Sequence, residues 1–175
     1  MLPSHLARRY PKLVADGGKK KSEADHQYNC LSWSAKRTKK YRFEPKPIEK
    51  WDRWPKDLRD DYSLESFIML FENLGYHRCS LTDTGFELFY KKVVIYAQFG
   101  IYGDQRWEFT HVADEIHAGV WTSKLGPDED IQHNTPQSLE GNCGDEYGKI
   151  YQVLKKRCWP WEILARVVFK IRRLL

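Results

Sequence analysis

The chain has 175 residues, of which 41% are hydrophobic and 14% aromatic, and its formal net charge is +5. This much apolar material suits one folded domain, so wholesale disorder is not expected. The modest positive charge does not by itself indicate nucleic-acid binding. The sequence shows neither a membrane-length apolar run nor a leader-like one, so we expect a cytoplasmic protein without a transmembrane segment.

Residues 1–27 are polar, and the run from Gly17 to Ser22 combines two glycines with three lysines. We predict a flexible basic N-terminal arm here. Cys30 then opens a run with helical character that continues to about Lys36. At a helix start the free N–H groups would point at the sulfur and favour the thiolate.

Residues 41–62 contain three prolines together with Trp51 and Trp54, which predicts a long loop anchored by tryptophans. The clearest helix follows, with Ser63 as its N-cap and Gly75 as its stop. Its apolar residues recur at helical spacing and predict one core-facing side. They are Leu64, Phe67, Ile68, Phe71 and Leu74.

The next signals predict β-strands, because β-branched and aromatic residues dominate. The predicted strands are residues 86–90, 92–99, 107–113 and 120–125, the last two forming a hairpin through His117-Ala118-Gly119. We predict a further helix from about Asp145 to Arg157 and an amphipathic basic helix over 158–175. Helices first and strands after them predict an α+β fold.

Cys30 and His111 are the candidate chemistry of the chain. A thiol at a helix start and an imidazole on a strand are the two parts of a cysteine nucleophile site. Hairpin geometry would place Ser123 or Lys124 beside His111, with Ser123 as the candidate orienting group and Asp114 or Asp130 as acidic alternatives. In the alternative interpretation, Cys30 is a small buried residue and His111 a structural one.

The remaining candidate residues surround this pair. The Cys30 N–H, with Gln27 or Tyr28 upstream, would supply oxyanion donors. Trp33 and Lys124 are candidate substrate contacts. No cofactor or metal site is predicted, because the histidines and Cys143 lack the spacing that anchors zinc.

Three stretches support a resemblance: Tyr28-Asn29-Cys30-Leu31-Ser32-Trp33, Thr110-His111-Val112-Ala113, and Trp121 to Pro127 closed by Ile131-Gln132-His133. Together they resemble an uncharacterised bacterial family whose layout is similar to papain-like hydrolases of the NlpC and CHAP type. The resemblance covers residues 28–157. It implies a papain-like domain in which the cysteine-bearing helix and the long helix pack on an antiparallel sheet that carries the histidine.

The resemblance also implies roles. Cys30 becomes the nucleophile, His111 the base and Ser123 the third residue, where relatives usually have His, Asn, Asp or Gln. His133 either completes the site or caps its loop. The implied function is a cysteine hydrolase that cleaves peptide, isopeptide or amide bonds of a peptide or protein substrate through a thioester.

Two other functions stay open. The first is a catalytically inactive papain-like domain that binds a protein partner through the basic arm and the C-terminal helix. That helix could instead dock on the sheet or contact a membrane surface. The second is nucleic-acid binding through Lys19–Lys21 and Lys36–Lys40, which is disfavoured because no recognised motif is present.

Overall fold

The computed structural model describes residues 2–36, 42–45, 54–59, 61–101, 103, 105–141 and 147–172. They form an α+β domain around one seven-stranded antiparallel sheet in the order β1-β6-β5-β4-β3-β7-β2. The strands are β1 (Lys19–Lys20), β2 (His77–Cys79), β3 (Tyr90–Phe99), β4 (Trp107–His117), β5 (Val120–Lys124), β6 (Asp130–His133) and β7 (Lys149–Arg157). The helices are α1 (Ser4–Arg9), α2 (Pro11–Ala15), a π-helical turn (Ser32–Lys36), α3 (Leu64–Asn73), a 3-10 helix (Pro136–Leu139) and α4 (Pro160–Arg172).

The two faces of the sheet carry separate hydrophobic clusters. Along β3, Val93 and Ile95 pack in the cluster that contains α3, whereas Val94 and Tyr96 pack in the cluster that contains α1 and α2. This alternation follows from the period of two in a strand. The predicted helix after Ser63 is confirmed as α3, and the Ser63 side chain caps it.

The prediction of a flexible arm over residues 1–27 is wrong for residues 2–20. Leu6, Tyr10 and Leu13 are completely buried and belong to the second cluster. Their spacing of four and three is a helical pattern. The pattern is weak in the sequence, because charged and polar residues surround the three side chains. β1 then pairs with β6, so this part of the chain is integrated into the domain.

The predicted helix ending at Arg157 is also wrong, because residues 149–157 form β7. Val153 and Leu154 are both fully buried and pack in opposite clusters, which requires side chains that alternate. Gly148 precedes the strand with φ 82°, and a Cβ there would lie 2.3 Å from the Ala97 carbonyl oxygen. A glycine is therefore needed where β7 first meets β3. The predicted helix start at Asp145 lies outside the described residues.

The predicted hairpin is confirmed between β4 and β5. Ala118 and Gly119 both have positive φ, 46° and 81°, as the tight turn of a right-twisted hairpin requires. In the preceding loop, Trp54 is buried and its ring meets Phe67 edge-on at 5.9 Å, so this anchor is confirmed. Trp51 and most of the Lys36–Lys40 run lie outside the described residues.

The predicted C-terminal helix is present as α4. Pro160 occupies its first turn, and the Trp159 N–H donates to the Glu162 carboxylate at 2.7 Å, which closes the helix start. Two ion pairs hold the helix: Glu162 to Lys91 at 2.6 Å and Arg166 to Glu115 at 2.8 Å. Within the described part of the chain, no helix has the length and apolar character to cross a membrane.

Candidate functional site

Cys30 begins the short helical segment that continues as the π-helical turn. Asn29 caps this start, because its Oδ1 accepts the Ser32 N–H at 2.9 Å. The same amide donates to the Phe43 carbonyl at 3.0 Å, which ties the segment to the loop that follows. The prediction that Cys30 opens a helix is therefore confirmed, although the turn is wider than an α-helix.

The Cys30 sulfur is buried among apolar side chains. Burial raises the pKa of the thiol to about 11, although the backbone N–H groups of Val112, Leu31 and Cys30 itself act in the opposite direction. Two of these N–H groups come from the helix start, as predicted. Desolvation nevertheless outweighs them, so the thiol is protonated at neutral pH.

His111 lies on β4 and is 1% exposed. Its ring stacks on Tyr147 with the centroids 4.0 Å apart, and Tyr96 lies 5.7 Å away. Nε2 has no hydrogen-bond partner among the described residues. Burial lowers the pKa of His111 to about 3, with a further contribution from nearby His133, so the ring is neutral at neutral pH.

The chain brings the sulfur close to the strand that carries the histidine. Val112, whose N–H faces the sulfur, directly follows His111 in β4. Cys30 belongs to the α3 cluster, whereas His111 stacks against rings of the opposite cluster. His111 Nε2 makes no hydrogen bond to the sulfur. The catalytic pairing of these two side chains stays a prediction.

Ser123 is buried on β5, and its hydroxyl lies 3.1 Å from Nε2 of His133. His133 Nδ1 lies 2.8 Å from the Thr135 carbonyl, which can only accept, so we assign the proton to Nδ1. Nε2 is then the acceptor for Ser123. Ser138 adds a contact at 3.1 Å. Ser123 thus orients His133, and His133 fixes its own loop.

Tyr28, two residues before Cys30, contacts Lys124 of β5 and Asp130 of β6. The Tyr28 hydroxyl donates to Asp130 at 2.5 Å, and the Lys124 ammonium lies 4.7 Å above the Tyr28 ring. Trp33 is tilted against Tyr28 at 6.4 Å. Gln27 is exposed and its backbone N–H donates to Asp25. The Tyr28 hydroxyl proton is therefore committed to Asp130 rather than to a substrate oxygen.

A cavity of about 530 Å³ lies between α4 and the sheet. Its lining includes Trp33, Thr122, Asp130, Glu115, Trp161 and Arg166, and it includes neither Cys30 nor His111. No sequence pattern predicts this cavity, because Glu115 and Arg166 are 51 positions apart and meet only in the folded chain. Among the described residues, no group of three or more His, Cys, Asp or Glu side chains is arranged to hold a metal ion.

A family match spans the sheet and the Cys30 segment. A family model described as a domain of unknown function, DUF7689, matches residues 19–155. The chain belongs to the DUF7689 family. No curated protein and no solved structure matches the chain. The DUF7689 span contains Cys30, His111 and Ser123, whereas α1, α2 and α4 lie outside it.

Proposed function

We propose that this DUF7689 chain is a non-catalytic binding domain that uses α4 as its contact element. The observation that carries the proposal is the state of His111. The ring is 1% exposed, is covered by Tyr147, and has an Nε2 without a partner among the described residues. A catalytic base needs an orienting group and access to the substrate.

The neighbouring groups support the same conclusion. Burial raises the pKa of Cys30 to about 11 and lowers that of His111 to about 3, so the proton stays on sulfur. An efficient catalytic base titrates near the working pH. The hydroxyl expected to orient His111 belongs to Ser123 and is bonded to His133.

A thiol-labelling experiment tests the proposal. At neutral pH, a limiting amount of iodoacetamide should label Cys30 no faster than Cys79, because burial raises the pKa of both thiols to about 11. Peptide mapping by mass spectrometry gives the rate at each position. Selective labelling of Cys30, with a pH profile that places its pKa below that of free cysteine, would overturn the proposal.

A second experiment uses pH. The pKa values of His111 and His133, about 3 and 4, lie below the unfolded value near 6.5, so acid favours the unfolded chain. Each histidine should therefore cost about 2 kcal/mol of stability between neutral pH and pH 5. Urea unfolding of His111→Phe should show a smaller loss than the parent. An unchanged pH dependence would contradict the burial of this ring.

A papain-like cysteine hydrolase, of the NlpC and CHAP type, is the second candidate. Its support is the set of backbone N–H groups around the Cys30 sulfur, one of them from Val112 beside His111. In that reaction the sulfur attacks a peptide, isopeptide or amide carbonyl and forms a thioester. His111 takes the thiol proton and returns it to the leaving amine, after which water releases the acid. A covalent adduct of an electrophilic peptide on Cys30 that forms in the parent and not in His111→Phe would favour this candidate.

A further inference from the structure

Helix α4 presents an apolar face to solvent. Trp161, Leu164, Val168 and Ile171 follow one another at spacings of three, four and three, which places them on one side of a helix. Their exposed fractions are 66%, 65%, 42% and 52%. A contiguous exposed stripe of this kind marks an interaction surface rather than a scattered set of surface residues.

The apolar face extends past the helix start. Trp159 is 58% exposed and stacks on Trp161 with the centroids 5.2 Å apart. Phe89, 53% exposed, lies beside this point, because its carbonyl accepts the Cys158 N–H at 2.8 Å. We call the six residues the α4 apolar patch: Phe89, Trp159, Trp161, Leu164, Val168 and Ile171.

The opposite face of α4 docks on the domain through two ion pairs and through Phe169, whose ring centroid lies 5.2 Å from that of His117. Glu162 pairs with Lys91, and Arg166 donates to Glu115 and to the Glu87 carbonyl. The helix cannot turn its apolar face inward without breaking both ion pairs. The α4 apolar patch therefore stays exposed in the folded chain.

The charges that border the patch are positive. Arg172, one position beyond Ile171, is exposed, and so is Arg157 before the helix. Glu162 is the single acidic residue of α4, and Lys91 already neutralises it. The patch thus has a tryptophan pair at one end and an arginine at the other. This arrangement suits a partner surface with an apolar interior and an anionic outer layer.

We propose that α4 lies flat on an anionic lipid surface, with the α4 apolar patch in the headgroup and acyl boundary. This rests on the proposed function, in which α4 is the contact element, and is independent of the chemistry of Cys30. A second copy fits less well. A parallel α4 pair brings two Arg172 side chains together, and an antiparallel pair offers them no acid except the engaged Glu162.

Vesicle flotation with the full chain tests the proposal. The protein should float with vesicles of phosphatidylcholine mixed with phosphatidylglycerol, bind pure phosphatidylcholine more weakly, and lose binding as salt rises. Leu164→Glu should weaken binding about tenfold or more, because it replaces a leucine that lipid would bury with a carboxylate that the anionic surface repels. Arg172→Glu should weaken it about fivefold or more.

Val14→Glu is the matched control, because Val14 is a helical aliphatic residue of α2 that is 49% exposed and lies outside the patch. It should bind like the parent. Absence of flotation with the mixed vesicles, or equal binding by parent and Leu164→Glu, overturns the lipid proposal. A concentration-dependent dimer that Leu164→Glu abolishes would also overturn it in favour of a second copy, while the non-catalytic function would stand. Selective labelling of Cys30 is the separate result that would remove that function.

Discussion

Helices α3 and α4 are both amphipathic, but they use their two faces in opposite ways. α3 buries its apolar side, including Phe67 and Phe71, and turns Glu65 and Glu72 outward to Arg78. α4 buries Arg166 and exposes its apolar side. Apolar burial stabilises a fold directly, whereas a buried ion pair contributes little net because desolvation offsets the attraction. α3 therefore serves the core, and α4 holds an interaction surface in place.

The largest expected effect comes from the core helix. Phe71→Ala should lower the free energy of unfolding by about 3 to 5 kcal/mol, because the ring is fully buried and leaves a cavity. Urea denaturation measures the loss. Val168→Ala, on the exposed side of α4, should change stability by about 0.5 kcal/mol at most. Similar losses for both variants would remove the distinction between the helices.

An intermediate effect is expected at the anchor of α4. Arg166→Met leaves Glu115 buried without its cation and should cost about 3 kcal/mol. In Arg166→Met, hydrogen exchange relative to the parent should speed up more for the α4 amides than for the α3 amides. Restoring charge balance with Glu115→Gln in the same chain should recover most of the protection. Equal loosening of α3 and α4 would contradict a separate anchor.

The same anchor has a pH signature. Burial raises the pKa of Glu115 above its unfolded value even though Arg166 opposes the shift. A raised folded pKa means that the folded chain holds the proton more tightly, so this group's contribution declines as pH rises above the unfolded pKa. In Arg166→Met the loss of stability between acidic and neutral pH should be larger than in the parent. Urea midpoints measured at the two pH values would show the difference. A pH-independent penalty would mean that Glu115 is not the group left unpaired.

The smallest effect is expected on the outward side of α4. Leu164→Gln should leave the free energy of unfolding within about 0.5 kcal/mol of the parent, because the side chain is 65% exposed. Leu70→Gln is the matched change on α3, where the leucine is 1% exposed and an uncompensated amide would be buried. Thermal melts of the two variants compare them directly. A large loss at Leu164 would show that α4 is part of the core.

Long periodic segments could be predicted from the sequence, and short or ambiguous ones could not. α3 and α4 have clear helical periods, and β3, β4 and β5 are rich in β-branched and aromatic residues. The pattern of β7 predicts a helix, because a short segment of mixed apolar and basic residues fits both periods until its neighbours are known. The two-residue β1 and three-residue β2 have no signal of their own, since they exist only by pairing with β6 and β7.

Of the candidate site, only the helix start at Cys30 could be predicted from the sequence. Asn29 and Cys30 begin a helix because an asparagine cap is a local feature. Whether the Ser123 hydroxyl bonds His111 or His133 depends on strand register and on the loop at Thr135, which a sequence pattern does not fix. The pKa directions also required the fold, because burial decides them.

The sheet ends in its two shortest strands, β1 and β2. Unpaired strand edges are where β-proteins add further molecules and grow into fibres. Here each outermost strand has three residues or fewer. β1 consists of Lys19 and Lys20, and β2 contains Arg78. A neighbouring chain that paired with β1 or β2 would meet a short, positively charged strand edge. We therefore expect concentrated samples to resist amyloid-type growth, so that any self-association on storage would run through hydrophobic helix contacts and leave thioflavin fluorescence flat.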